Sequence, residues 1–319
     1  MIFQKKHALS FLVSAALFIF LFSRVNFQQV FSIIGSANLL LFLATVCLTV
    51  ISLSIKSFRW GLFLAVYKKK IKMLDVFSSF LASVFVANAT PARLGEATRS
   101  YFLKRRYKTS FFSMLPAILV ERLLDLIVLI VYSLLFLSLF SSMVSTILKI
   151  VMLFTAFIVM LMIIVFFNKR VSNSMMNLFF RAFSFIKQIS KMKPRVKKFM
   201  GKFYEGTAAL KKAKFLTIII ITALVWFIES LTLFIVTSSL NITMPLLYCI
   251  GFTSLAILGG TLSSLPGGLG STELILFSFF VLLGYSEPIS LSITLLHRFC
   301  TFGIGIFITA IFFVREVKN

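Results

Sequence analysis

Two stretches of this sequence interrupt apolar helical runs with proline and glycine: NATPARLGE at residues 88–96 and LPGGLGSTE at residues 265–273. Both contain Pro-x-x-Leu-Gly with a glutamate downstream, and an arginine follows each proline after 31 or 32 residues, at Arg122 and Arg298. Proline removes a backbone donor and glycine permits turns, so each motif predicts a break between two helices. The residues expected at the two tips are Asn88, Pro91, Gly95, Pro266, Gly267, Gly268 and Gly270.

The composition places these breaks in a membrane and excludes a soluble globular enzyme. The 319 residues are 60% hydrophobic and 13% charged, whereas soluble domains carry about 25% charged residues. The net charge of +24 is compatible with nucleic acid, anionic lipid or positively charged membrane loops, and the position of the charges decides among them. Three isolated cysteines and two histidines predict neither a disulfide framework nor a metal site.

Apolar runs and basic loops together predict the topology. Since a helix needs about 20 apolar residues to cross a bilayer, six runs are predicted to span: 8–22, 39–55, 115–140, 144–167, 215–240 and 289–314. The strongly basic segments are predicted to be cytoplasmic: 5–6, 68–72, 104–108 and 168–214. This gives a multi-pass, all-α cell-membrane protein with both termini inside.

Two further apolar runs, 73–103 and 245–284, carry the tips and begin and end on one side of the membrane. We therefore expect an inner and an outer re-entrant hairpin, because non-helical backbone at membrane depth is stable only inside protein or beside a cavity. The alternative is that each run forms two short, tightly packed full spans, which gives eight or more spans.

The recurring tip and arginine spacing also predicts an internal repeat. Residues 1–142 and 143–319 show the same order of spans and hairpin with opposite orientation. Inverted repeats with broken helices near the midplane are typical of secondary transporters.

Ten charged residues are expected at membrane depth in or next to these runs, namely the bases Arg59, Arg93, Arg99, Arg122 and Arg298 and the acids Glu96, Glu121, Asp125, Glu229 and Glu273. Intramembrane charges usually pair with one another or line a path, so we expect a polar cavity that accepts a charged headgroup, although structural ion pairs are the alternative for each. Arg59 is expected to extend to the inner interface, and Arg122 to point about 100° away from Glu121 and Asp125. The candidate binding residues are Arg93, Glu96, Arg99, Glu121, Arg122, Asp125, Glu229, Glu273 and Arg298.

Catalytic and cofactor motifs are absent from the sequence. It has no Gly-x-Ser-x-Gly, His-Glu-x-x-His, P-loop or dinucleotide fingerprint. We therefore expect no cofactor, no metal and no enzymatic activity, although acid–base catalysis by carboxylates requires no recognisable motif.

The segment 168–214 carries thirteen Lys or Arg and one acid, interleaved with Phe, Met and Ile. This pattern predicts a basic amphipathic helix on the anionic inner leaflet. We do not expect it to bind nucleic acid.

Four motifs follow one another along the chain: residues 88–96 with Arg99, the pair Glu121–Arg122 with Asp125, residues 265–270 with Glu273, and finally Arg298. In this order they resemble the lysylphosphatidylglycerol synthase transmembrane region family, also called the flippase-like or UPF0104 family. The resemblance covers nearly the whole chain and departs from the family pattern at Thr90 and at Ser271–Thr272. It implies a lipid-flippase-like region. The family's fused aminoacyl transferase domain is not in this sequence, so synthase activity does not carry over.

Three functions remain open from the sequence. The first is translocation of a lipid or lipid-linked headgroup, with arginines on phosphate, carboxylates on amine or sugar, and tips that open alternately. The second is a membrane enzyme acting on a lipid or polyprenyl phosphate, and the third is a small-solute or ion transporter. Membrane lipids are the expected partners, and the sequence does not specify an oligomeric state.

Overall fold

The computed structural model describes residues 26–66, 71–109, 111–139, 168–182 and 215–318 continuously, with scattered residues in 12–23, 150–164 and 193–204. The continuously described parts form helices α1 to α11: Phe27–Gly35, Leu39–Val66, Met73–Asn88, Thr98–Tyr107, Phe111–Leu139, Lys169–Ala182, Phe215–Ser239, Leu246–Leu262, Ser271–Leu282, Glu287–Arg298 and Ile304–Lys318. Two short 3₁₀ segments, Pro91–Ala97 and Pro266–Gly268, lie at the tips, and a π-helical segment, Phe299–Gly303, joins α10 to α11. A short apolar helix lies at Leu12–Leu21.

Four helices are long and apolar enough to cross a membrane: Leu39–Ala65, Met114–Leu139, Phe215–Ser239 and Glu287–Lys318. They coincide with four of the six predicted spans, which confirms a helical membrane protein. The predicted span 39–55 was too short, since α2 continues through Lys56 and Arg59 to Val66. The predicted spans 8–22 and 144–167 lie largely outside the described residues, and the total number of spans stays a prediction.

Each proline–glycine motif separates two short helices. The arms of the first pair have 16 and 10 residues, and those of the second have 17 and 12. At about 1.5 Å per residue, the longest arm measures about 26 Å, which is less than the roughly 30 Å hydrocarbon core. These lengths favour re-entrant hairpins, while the topology itself stays a prediction.

Local hydrogen bonds explain why the chain turns at the tips. Thr90, where the sequence departs from the family pattern, accepts a hydrogen bond at Oγ1 from the Gly95 N–H at 2.8 Å. At the second tip the Glu273 carboxylate accepts one from the Gly270 N–H at 2.8 Å and so caps α9. Gly270 has φ +86°, a left-handed conformation that a residue with a Cβ rarely adopts.

The two hairpins pack reciprocally. The first arm of each contacts the last long helix of the other half, α3 against α11 and α8 against α5, while α2 packs against α7 in the centre. The tips meet where the Ala92 N–H donates to the Ser264 carbonyl at 3.3 Å. This exchange of partners brings both tips to one place, and the inverted repeat itself stays a prediction.

Small residues permit the close approach of α8 and α5. Gly251 faces the Phe136 ring, which would lie only 2.2 Å from an added Cβ. Phe136 in turn packs edge-to-face against Tyr248 and Phe252, and Phe252 stacks on Phe279 with ring centroids 4.6 Å apart. Helices in lipid associate through such packing because the surrounding solvent is itself apolar.

Candidate functional site

A buried network of ion pairs and hydrogen bonds joins α2, α5 and α7. Arg59 on α2 donates to Glu121 at 2.8 Å and to Asp125 at 2.6 Å, both on α5, and to the Thr222 hydroxyl on α7 at 2.9 Å. Its side chain is only 1% exposed. The expectation that Arg59 extends to the membrane interface was therefore wrong, because two carboxylates on a neighbouring helix neutralise its charge in the interior.

Arg99 ties the first hairpin to this network. Its guanidinium lies 2.7 Å from the second oxygen of Glu121 and stacks over the Trp60 ring at 4.1 Å from the centroid. Glu121, fully buried, thus bridges Arg59 and Arg99. Arg99 belongs to the second arm of the hairpin, α4, and is buried against Trp60 of α2, Phe80 of α3 and Glu121 of α5.

The tip of the first hairpin carries a second layer of ion pairs. Arg122 lies 2.7 Å from Glu96 and 3.3 Å from Asp125, and Arg93 lies 3.3 Å from Glu96. The expected separation of Arg122 from Asp125 was wrong, because residues three apart lie only about 60° from each other around the helix axis and contact one another. These contacts fix the tip against α5.

The second tip has an ion pair of its own. Arg298 lies 2.6 Å from Glu273 through Nε and donates through Nη2 to the Gly267 carbonyl at 3.1 Å. Arg298 also lies over the Phe302 ring, in the π-helical segment directly after it. The arginine that follows each tip after 31 or 32 residues therefore contacts that tip in both halves.

A third pair connects α2 and α7. Lys56 lies 2.8 Å from Glu229, which also accepts a hydrogen bond from Ser52 at 2.6 Å. Trp226, one turn before Glu229, donates to Asp125 at 3.1 Å. Sequence reasoning missed Lys56 because the span was ended at residue 55. The i, i+3 spacing of Lys56 and Arg59 was the available signal for a shared charged face.

The two tips and these pairs surround a cavity of about 290 Å³. Both tips contribute backbone and side chains, and α2, α5, α7 and α10 contribute charged groups. The polar and tip residues that line the cavity are Thr49, Lys56, Asn88, Arg93, Arg122, Asp125, Glu229, Thr253, Thr261, Ser264, Gly267, Gly268, Thr272, His297, Arg298 and Thr301.

The candidate binding residues divide into two groups in this arrangement. Five of them line the cavity: Arg93, Arg122, Asp125, Glu229 and Arg298. The other four are buried and contact the first group or its partners: Glu96, Arg99, Glu121 and Glu273. Of the predicted tip residues, the cavity is lined by Asn88, Gly267 and Gly268 but not by Pro91, Gly95, Pro266 or Gly270.

His297 also lines the cavity and was not among the predicted residues. It is 5% exposed, and neither ring nitrogen has a hydrogen-bond partner among the described residues. The same residues contain no cluster of three or more His, Cys, Asp or Glu that could hold a metal ion. The cavity therefore offers ion pairs and single polar groups to a ligand.

Comparisons with known proteins identify the family. The family model described as the lysylphosphatidylglycerol synthase TM region matches residues 7–309. The chain is 26% identical to a UPF0104 membrane protein of Methanocaldococcus jannaschii over 73% of this chain and 95% of that protein. It is 23% identical to one of Pyrococcus horikoshii over 99% and 98% of the two chains. A third, from Methanothermobacter thermautotrophicus, is 24% identical over 82% and 80%. The family model spans nearly all 319 residues, and the chain belongs to the lysylphosphatidylglycerol synthase TM region family of membrane proteins.

Proposed function

We propose that this protein is a multi-pass protein of the cell membrane that translocates a lipid or lipid-linked headgroup through the cavity between the two tips. One observation carries the proposal: both broken helices line the same cavity, and four charged pairs surround it. Charges within a bilayer usually mark a path for ions or substrates. Broken helices near the midplane are the usual binding elements of transporters.

The size of the cavity suits a headgroup. Its volume of about 290 Å³ is at the lower end of the roughly 300–1,000 Å³ of small-ligand pockets. A polar headgroup fits in such a space while the acyl or prenyl chains stay in the bilayer. In this mechanism the protein replaces the water that the headgroup loses on entering the membrane.

The contact between the two tips is the part of the cavity wall that we expect to open. Ala92, Arg93 and Ser264 all have positive φ, between 51° and 55°, which costs a non-glycine residue about 1–3 kcal/mol. A single backbone hydrogen bond, Ala92 to Ser264, joins the tips directly. We propose that this contact breaks and re-forms as the headgroup passes.

The basic segment 168–214 is proposed to rest on the inner leaflet. Its described helix α6 exposes Lys169, Arg170 and Arg181 together with the apolar side chains of Met175 and Leu178. Each base close to an anionic membrane surface contributes about 1 kcal/mol of attraction. This contact fixes the orientation of the protein and concentrates anionic lipids near it.

Replacing Arg93 with glutamine should slow lipid translocation by roughly 10- to 100-fold, because a hydrogen bond to a charged group contributes about 1.5–3 kcal/mol. Arg93 suits the test because its partner Glu96 stays paired with Arg122, 2.7 Å away, after the charge of Arg93 is removed. Purified protein is reconstituted into vesicles that carry fluorescent lipids. A membrane-impermeant reductant is then added, which quenches only lipids in the outer leaflet, so further loss of fluorescence measures transfer from the inner leaflet.

The matched control is Lys104→Gln, which removes one exposed positive charge away from the cavity. It should translocate lipid at the rate of the unmodified protein. Equal rates for Arg93→Gln and Lys104→Gln would argue against the cavity as the translocation path.

Lipid extracts from the same vesicles separate this function from the two alternatives. Translocation changes the leaflet distribution and leaves the chemical species unchanged, whereas an enzyme produces a new lipid species. Uptake of a soluble solute into the vesicles without lipid movement would indicate a solute transporter.

A further inference from the structure

We infer that the group bound in this cavity bears a phosphate with a net charge near −2, as a phosphate monoester does, and is not zwitterionic or cationic. The inference rests on the proposed function and specifies its substrate class. It comes from the charges that line the cavity in the described residues: four cations and two carboxylates, namely Lys56, Arg93, Arg122, Arg298, Asp125 and Glu229. Arg93 and Arg298 are also paired with Glu96 and Glu273, but these two carboxylates lie behind the cavity surface and are not part of its lining.

The ion pairs at the two tips have the same orientation. The Arg93 side chain is 33% exposed while its partner Glu96 is 4% exposed. At the second tip the Arg298 side chain is 15% exposed and Glu273 is 2% exposed. At both tips the cation therefore faces the cavity and the carboxylate lies behind it.

The guanidinium groups at the tips also keep donors available. Arg93 contacts Glu96 through Nε, whereas Arg298 contacts Glu273 through Nε and the Gly267 carbonyl through Nη2. In the described part of the chain, the Nη groups of Arg93 and the Nη1 of Arg298 have no hydrogen-bond partner. A guanidinium presents its donors as a planar fork that matches phosphate oxygens, so both tips offer such a fork to one ligand.

Burial makes this positive surface selective. The guanidiniums of Arg93 and Arg298 lie closer to a ligand in the cavity than the carboxylates behind them do, so an anionic group is attracted more strongly than a neutral or cationic one. A phosphate monoester carries about −1.5 to −2 at neutral pH and is therefore attracted more strongly than a singly charged phosphodiester. A phosphodiester with an amine has no net charge, and an aminoacylated lipid is more positive still, so both are attracted more weakly to the exposed guanidiniums.

Trp226 provides a direct reporter of binding. It lines the cavity beside Lys56, whereas the second of the two tryptophans, Trp60, is fully buried beneath Arg99. A ligand that enters the cavity should change the fluorescence of Trp226 and not that of Trp60. A Trp226→Phe variant identifies the signal.

The experiment titrates the full chain in detergent with short-chain lipids that share their tails and differ in headgroup: phosphatidic acid, phosphatidylglycerol, phosphatidylcholine and an aminoacylated phosphatidylglycerol. We expect phosphatidic acid to bind at least tenfold more tightly than phosphatidylcholine, and the aminoacylated lipid to bind most weakly. Arg298→Gln should lower the ratio of phosphatidic acid affinity to phosphatidylcholine affinity by about tenfold, and Lys104→Gln should leave this ratio unchanged. If Arg298→Gln does not fold, Arg93→Gln tests the other tip, because Glu96 retains Arg122.

Inorganic phosphate is titrated in parallel to separate a lipid from a free anion. Inorganic phosphate that binds as tightly as phosphatidic acid would support the phosphate site and assign it to a soluble anion. Equal or tighter binding of phosphatidylcholine or of the aminoacylated lipid would overturn the inference.

Translocation assays with the same lipids distinguish this inference from the proposed function. Vesicles that move zwitterionic lipid as fast as phosphatidic acid would refute the charge selectivity and leave the translocase intact. Selective phosphate binding without movement of any lipid would support the site and refute translocation.

Discussion

Glu121→Gln is expected to destabilise the protein by about 3–5 kcal/mol, the cost of removing one partner from a buried ion pair. Glu121 is fully buried and contacts Arg59 at 2.8 Å and Arg99 at 2.7 Å through different oxygens. Glutamine has one acceptor oxygen, so its amide N–H groups would face one of the two guanidiniums. Arg59 keeps Asp125, but the other carboxylate near Arg99 is Glu96, at 3.7 Å and shared with Arg122.

The measurement is the temperature at which half of the detergent-solubilised protein stays monodisperse, and we expect a fall of roughly 10 °C. Glu287→Gln is the control, because Glu287 is exposed in the first turn of α10. The double variant Glu121→Gln with Arg99→Met removes both charges and should recover part of the loss. An unchanged midpoint for Glu121→Gln alone would contradict the assignment of this network as the buried frame of the protein.

Gly95→Ala is expected to cost about 1–3 kcal/mol or more, as overpacking a close contact does. A Cβ at this position would lie 2.5 Å from the Val86 carbonyl carbon and 2.6 Å from the Ala87 nitrogen. Both atoms belong to the backbone of α3, so no side chain can rotate to make room. Gly95 does not adopt a positive φ, and the effect is therefore steric.

The same thermal assay should give a clearly lower midpoint for Gly95→Ala than for Gly35→Ala, since nothing lies within 4 Å of a Cβ at Gly35. We also expect slower translocation by Gly95→Ala in vesicles, because the first tip would be pushed away from α3. Equal midpoints for the two variants would show that the tip does not pack against α3 as described.

Much of the fold was predictable because hydropathy and proline–glycine breaks are local signals. The long apolar helices, the two hairpin-like pairs and the family follow from residues close together in sequence. The recurring arginine spacing corresponds to a recurring contact, since Arg122 meets the first tip at Glu96 and Arg298 meets the second at Glu273 and Gly267. The ends of the segments were predicted less accurately. Because one predicted span ended at residue 55, Lys56 was left out of the candidate site.

Sequence alone determined that this is a helical membrane protein with charged residues gathered near two broken helices, because the apolar composition and the spacing of charges are properties of the chain itself. Tertiary structure decided which charge meets which and which of them face the cavity. Arg59 and its carboxylates are more than 60 residues apart, and Lys56 and Glu229 are 173 apart. Helical periodicity places residues on a face of one helix. The packing of the helices and the two hairpins determined that Lys56, Arg93, Arg122 and Arg298 line the cavity while Glu96 and Glu273 lie behind it.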